Sequence, residues 1–218
     1  MIEAKAAVDV RDNRNRTPLH HAAQNGHSAA VQVLIESNAD VTAIDASLMN
    51  PLFLAAQNGH LVAVHVLINA KASVDFPAGG WTPLHSAAAR GYEAIVQMLI
   101  NAKAPIDVRD SGNMTPLHAA AGKGRRNVVQ KLINAKANVD GGKDSSQTPL
   151  YLAAQNGHLG AVNVLINAKA ALDVENGPDP LHVAADKGHS RIVQVLIDAK
   201  ASVDFPHGYW SPLHAAAW

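Results

Sequence analysis

A four-residue box returns seven times along the chain: TPLH at 17, NPLF at 50, TPLH at 82 and 115, TPLY at 148, DPLH at 179 and SPLH at 211. Successive boxes stand 33, 32, 33, 33, 31 and 32 residues apart. So long a period is no heptad. Its persistence makes each period one supersecondary unit that buries its apolar faces by stacking on its neighbours. The length of 218 residues would by itself suggest one or two ordinary domains, but the repeat predicts a single domain over 1–218. Its full repeats are 17–49, 50–81, 82–114, 115–147, 148–178 and 179–210, with partial repeats at 1–16 and 211–218.

Each box reads as the start of a helix. Its first position holds Thr, Asn, Asp or Ser, whose side-chain oxygen accepts a hydrogen bond from the free amides of a first turn. The next position is always Pro, whose fixed φ and missing N–H suit the first helical residue. A short apolar stripe follows, as in Leu19, Ala22 and Ala23, and then a glycine: Gly26, Gly59, Gly91, Gly124, Gly157 and Gly188. Glycine closes a helix in the left-handed conformation at little steric cost. Beyond it, apolar residues at i, i+3 and i+4, such as Val31, Leu34 and Ile35, predict a second helix. The remaining stretches, VDVRDNRN and IDVRDSGN among them, are short, polar and turn-forming, and read as hairpin-like loops. Asp9, Asp40, Asp75, Asp107, Asp140, Asp173 and Asp204 recur before these loops and read as turn residues.

The combination resembles the ankyrin repeat, whose pattern is a hairpin, TPLHxAA, a Gly-His turn and a V-x-x-L-L helix, over essentially the whole chain. The resemblance implies an all-α solenoid, with stacked helix-turn-helix units and short β-hairpin-like loops. It also implies partner contacts on the hairpin tips and on the concave face of the first helices. It assigns the box histidine a structural role, tying neighbouring repeats together through the backbone.

One position departs from that family. The residue after the second helix, normally glycine, is Lys5, Lys71, Lys103, Lys136, Lys169 and Lys200, with Asn38 the exception. A left-handed lysine costs about 1 kcal/mol relative to glycine, partly offset by its charge at a helix C-terminus. Either the turn is altered or the cost is tolerated. The ladder reads as a docking stripe for an acidic surface, or more simply as a duplicated quirk with each ammonium in water. Near-copies such as LAAQNGHL at 54 and 152 point to internal expansion or deliberate assembly. Met1 aligns inside a second helix and Trp218 inside a first, so the expectation is a segment of a longer array. The alternative expectation is that uncapped ends stack on another copy, giving end-to-end self-association.

Composition narrows the function. With 18 basic and 18 acidic residues the chain has no bulk attraction for phosphate backbones or anionic lipid, which argues against nucleic acid and membrane as partners. There is no cysteine, hence no disulfide, thiolate site or cysteine nucleophile. No apolar run reaches a membrane span and no signal peptide opens the chain, so the default is a cytoplasmic protein, or a secreted effector acting in a host cytosol. Of twelve histidines, nine occupy two fixed repeat positions, the box and the residue after the turn glycine. No H-x-x-x-H, phosphate loop or nucleophile elbow is present, so no metal, cofactor or catalytic residue is expected.

Specificity must then lie where the repeat does not dictate the residue. The position before each N-cap holds Arg16, Met49, Trp81, Met114, Gln147, Pro178 and Trp210. Aromatic, Met and Arg side chains on projecting turns are the types enriched in interfaces. All of these but Pro178, together with Arg14, Arg90, Lys123 and Tyr209, are the candidate protein-binding residues: Arg14, Arg16, Met49, Trp81, Arg90, Met114, Lys123, Gln147, Tyr209 and Trp210. The plainer account is that each packs on the neighbouring hairpin, which Phe76, Phe205 and Tyr209 would assist. The sequence thus favours a protein-protein interaction module over a non-binding structural spacer, and over the targeting segment of a larger enzyme or bacterial effector.

Overall fold

The computed structural model describes residues 8–75, 80–141, 147–173 and 179–203. Twelve helices lie among them, in six pairs: α1 (Pro18–Gln24) with α2 (Ser28–Glu36), α3 (Pro51–Asn58) with α4 (Leu61–Asn69), and α5 (Pro83–Arg90) with α6 (Glu93–Asn101), then α7 (Pro116–Gly122) with α8 (Arg126–Asn134), α9 (Pro149–Gln155) with α10 (Leu159–Asn167), and α11 (Pro180–Asp186) with α12 (Ser190–Asp198). The fold is an all-α solenoid of stacked helical repeats. It divides into two compact units, Met1–Ala87 with Tyr92–Pro105, and Ala88–Gly91 with Ile106–Trp218.

These helices are too short to persist alone in water, so packing must hold them. In the first unit α1 packs on α2 and α3, and α4 on α2 and α6; in the second, α9 packs between α7 and α11, and α10 between α8 and α12. The core repeats with the sequence. Leu19, Leu52, Leu84, Leu117, Leu150 and Leu181 of the first helices are all buried, as are the alanine pairs behind them. Small alanines let neighbouring pairs approach closely, and Val and Leu of the second helices fill what is left.

The caps follow the sequence chemistry. Asn50 accepts from the Phe53 amide at 2.7 Å, Thr148 from Tyr151 at 3.1 Å and Asp179 from Leu181 at 2.8 Å. Thr17 and Thr115 form reciprocal capping boxes in which the box histidine takes the place of the usual Glu or Gln.

Both helices of a pair end in the same left-handed turn. After α1 the His27 amide donates to Ala22 O at 2.9 Å and the Gly26 amide to Ala23 O at 3.3 Å. After α4 the Ala72 amide donates to Leu67 O at 3.0 Å and the Lys71 amide to Ile68 O at 2.9 Å. This is the Schellman pattern. Asn38, Lys71, Lys103, Lys136, Lys169 and Lys200 all hold positive φ, between 64° and 72°. The lysines therefore bear the strain with the turn unaltered, and all five described ones are exposed, leaving room for a Cβ and a hydrated ammonium. The first turn has no such room at Gly26, Gly59, Gly91, Gly124 and Gly157. A Cβ on Gly26 would lie 2.7 Å from His60 Cγ, and one on Gly59 2.7 Å from Tyr92 Cζ.

Two substitutions should therefore move stability in opposite directions. Gly26→Ala should lose more than the ~1–2 kcal/mol of backbone strain, because His60 must also shift. Lys136→Gly should gain several tenths of a kcal/mol, limited by the larger chain entropy of the unfolded glycine. Urea midpoints of the two variants beside the parent protein check both signs.

Candidate partner-binding surfaces

Three of the hairpin tips are each built around one aspartate. Asp12 Oδ1 accepts from the amides of Arg14 and Arg16, both at 2.8 Å, and Asp12 N donates to Arg16 O at 3.0 Å. Asp45 does the same for Ser47 and Met49, and Asp110 for Gly112 and Met114. One residue in each loop turns left-handed: Asn15, Leu48 and Asn113. The Arg16 amide, with help from Arg14 and the His21 ring 2.9 Å away, holds the Asp12 carboxyl below its usual 3.8. The tip amides are thus held within the loop.

Neighbouring tips are pinned together. In the first unit the Ala46 amide donates to Arg14 O at 2.9 Å, and Arg11 and Asn15 donate to Ile44 O at 3.1 and 3.2 Å. In the second, Arg109 donates to Gly141 O at 3.2 Å.

The residue before the N-cap is held from behind by the box histidine of the preceding repeat. His20 Nδ1 accepts from the Thr17 amide at 3.1 Å, so its proton sits on Nε2 and is donated to Met49 O at 3.1 Å. His118 repeats this, with Thr115 at 3.0 Å and Gln147 O at 2.9 Å. The linkage agrees with the role the family resemblance assigns to this histidine. It grips a carbonyl and leaves the side chain of the residue it holds unspecified.

In the first unit the side chain of Arg14 is exposed, and Met49 and Trp81 are half-buried. Arg16 is engaged within the protein: its Nε pairs with Asp45 Oδ2 at 3.0 Å and its guanidinium also donates to Gln24 Oε1 at 2.8 Å. Trp81 follows NPLF, where Phe53 replaces the box histidine, and is secured forward instead. Its indole N–H donates to Ser86 Oγ at 2.8 Å, and its ring lies 5.0 Å from that of His85 at a 30° tilt. In the second unit Arg90 and Lys123 are exposed near the C-termini of their first helices, and Met114 and Gln147 are half-buried at the tips. Tyr209, Trp210 and Pro178 lie outside the described residues. Among the described residues no group of three His, Asp or Glu side chains is gathered as metal ligands would be.

Two sets of cross-repeat contacts went unread in the sequence. Asp9 accepts from the Asp40 amide at 3.1 Å, Asp107 from Asn138 at 3.0 Å, Asp140 from Ala171 at 2.8 Å and Asp173 from Ser202 at 2.9 Å. These aspartates reach the next repeat, whereas Asp40 closes its own turn on Thr42 at 2.8 Å. The side chain after the turn glycine reaches the other way. His60 Nε2 bonds Gln24 O at 2.9 Å, Arg125 Nε Ala89 O at 3.0 Å, His158 Nε2 Gly122 O at 3.2 Å and His189 Nε2 Gln155 O at 3.2 Å. Each caps a carbonyl left free at the end of the preceding first helix.

Burial pushes the His20 pKa below its ordinary 6.5, a shift opposed by its bond to Met49 O. The unfolded chain then takes up a proton that the folded chain refuses. The resulting stability is complete above pH 6.5 and is lost as pH falls from there towards the depressed folded value. The urea midpoint should be lower at pH 5.5 than at 7.5, and the difference should shrink in His20→Gln.

Comparisons with known proteins agree with this architecture. The family profile for ankyrin repeats (three copies) matches residues 1–45, 44–110 and 102–176, and the single ankyrin-repeat profile matches 176–207. Among solved structures, the crystal structure of the human ASB11 ankyrin repeat domain is similar at a TM-score of 0.84 and 28% identity, over 93% of this chain and 92% of that one. No curated protein matches the sequence.

Proposed function

The chain belongs to the ankyrin-repeat family, and on that premise we propose that it docks a protein partner through its hairpin tips and the open face of its first helices. Ankyrin repeats are generally protein-protein interaction modules, and the fold is an interaction fold without catalytic machinery of its own. The observation that carries the finer reading is Trp81. Its polar N–H is already satisfied and its ring is braced on His85, yet the side chain is only half-buried. Such a residue offers apolar area to a partner at little cost in conformational freedom.

Met49 and Met114 supply adaptable apolar surface nearby in sequence register, and Arg14, Arg90, Lys123 and Gln147 supply polar contacts. Arg16 contributes mainly by fixing the first tip, since Asp45 and Gln24 hold it. Tyr209 and Trp210 belong to the same proposal by repeat position. The balanced charge favours a protein over nucleic acid or lipid as partner, and no described helix is long and apolar enough to cross a membrane. A cytoplasmic site of action is part of the proposal.

A pull-down with the parent protein beside a Trp81→Ala, Trp210→Ala variant tests it, with circular dichroism and melting to show that both are folded. A partner held by the parent should bind the folded variant roughly thirtyfold more weakly, the ~2 kcal/mol of a hot-spot residue. Equal retention would remove the tips from the binding site.

A further inference from the structure

Charge is balanced over the chain as a whole and unbalanced in one repeat. Between Asp110 and Asp140 the sequence holds Lys123, Arg125, Arg126, Lys131 and Lys136 and no acidic residue. The helices of the next pair, α9 and α10, carry no charged residue at all. Three of the cations, Lys123, Arg125 and Arg126, stand exposed at the turn between α7 and α8. Arg90, also exposed, belongs to the same compact unit. None of these four has an ion pair among the described residues.

Two of the arginines are set in place by packing on glycines. Arg125 lies over Gly91, and its Nε–H donates to Ala89 O at 3.0 Å, which brings its guanidinium beside Arg90. Arg126 runs the other way. Its Cδ stands 3.3 Å from where a Cβ on Gly160 would be, a position that holds Val62 in α4 and Arg191 in α12. Local chemistry accounts for part of the cluster: Arg90 in the last turn of α5 and Lys123 at the C-cap of α7 meet the negative ends of their helices. Arg126 does the opposite. It is the first residue of α8, whose first turn has no acidic side chain, so it faces the positive end of the helix dipole. Glu93 takes that position in α6, as the dipole favours. The place of Arg126 is thus unfavourable to its own helix and gains nothing from an ion pair.

We propose that this basic turn docks an acidic segment of a protein partner, a run of Asp and Glu side chains laid across Arg90, Lys123, Arg125 and Arg126. The inference rests on reading the chain as a protein-binding module, and adds the chemistry of what is bound at this place. Guanidinium groups grip carboxylates through paired N–H···O bonds. Arg125 and Arg126 are already braced by packing, so less freedom is lost when they bind. A carboxylate beside Arg126 also supplies the negative charge that the start of α8 lacks. The positive region is short. The other ends of α7 and α8 lead to loops with Asp107, Asp110 and Asp140, about 10 Å away along a seven-residue helix. That suits a short acidic stretch of polypeptide and opposes a long phosphate backbone. No two acidic residues are adjacent in this chain, so a second copy supplies no such run.

A fluorophore-labelled octaglutamate peptide, titrated with the protein at low salt and followed by anisotropy beside an octaglutamine peptide, tests this. The parent protein should bind the glutamate peptide, hold it less tightly as salt rises, and leave the glutamine peptide free. Arg126→Glu should bind about tenfold more weakly yet melt no lower than the parent, because the new carboxylate suits the start of α8. Lys71→Gln, Lys103→Gln changes the net charge by the same amount and should bind as the parent does. Trp81→Ala, Trp210→Ala should do so too, which keeps the fate of the tips separate from the fate of this site. A parent that leaves the glutamate peptide free at several hundred micromolar, or an Arg126→Glu variant that binds it undiminished, would overturn the proposal. So would an equal loss in either control variant, or a tighter hold on a single-stranded oligonucleotide of equal charge.

Discussion

The rest of the structure depends on the contact between a left-handed glycine and the side chain that the following pair lays over it. Helices of seven to nine residues gain little from their own hydrogen bonds. Their order comes from stacking, and stacking in one register requires a contact that works in only one. Gly26 with His60 supplies it twice over: the ring fills the space a Cβ would need, and Nε2 caps Gln24 O. An added residue between the glycine and the covering side chain would break both at once. This is a physical reason for box spacings that vary by no more than two residues, from 31 to 33. The covering residue need not be histidine. Tyr92 and Arg125 take the same place, which shows that bulk over the glycine is the common requirement.

Where nothing covers a left-handed turn, glycine is dispensable. The second turn of each pair has the same hydrogen bonds as the first, yet it carries lysine. The residue after it explains why. Ala72, Ala104, Ala137, Ala170 and Ala201 are buried and each donates its amide to a carbonyl of the helix it follows, so the turn closes on its own helix and leaves the lysine in water. Strain of about 1 kcal/mol per site is tolerable when ammonium charge meets a helix C-terminus and the fold is anchored elsewhere. The lysine ladder thus has a sufficient explanation in local backbone chemistry.

Almost everything local was legible in the residues. Caps, prolines, turn glycines and the two apolar stripes each follow from a spacing of a few positions, and the elements begin and end where that chemistry says. What stayed hidden lies one repeat away. Periodicity shows that His60 and His158 are equivalent, but not that each reaches a carbonyl 36 residues back. It shows Asp9 and Asp107 at matching places, which suggested closure of their own turns, but not that each receives an amide 31 residues on. The site was legible as a set of positions, not as an arrangement. Arg16 looks free in sequence because Asp45, its buried partner, belongs to the next loop.

The hairpin tips show why such a scaffold can vary its surface without losing its fold. At the tips of Asp12, Asp45 and Asp110 the backbone amides are held by that aspartate, and His20 and His118 hold the residue before the next N-cap by its C=O. None of these bonds reads a side chain at that position. Met49 and Gln147 receive the same bond from His20 and His118, although one is apolar and the other polar. Trp81 lacks a histidine behind it and is braced by Ser86 and His85 instead. The position is therefore fixed in space but open in chemistry. That is the condition under which substitutions can change what is recognised while the core, built from other residues, stays as it is.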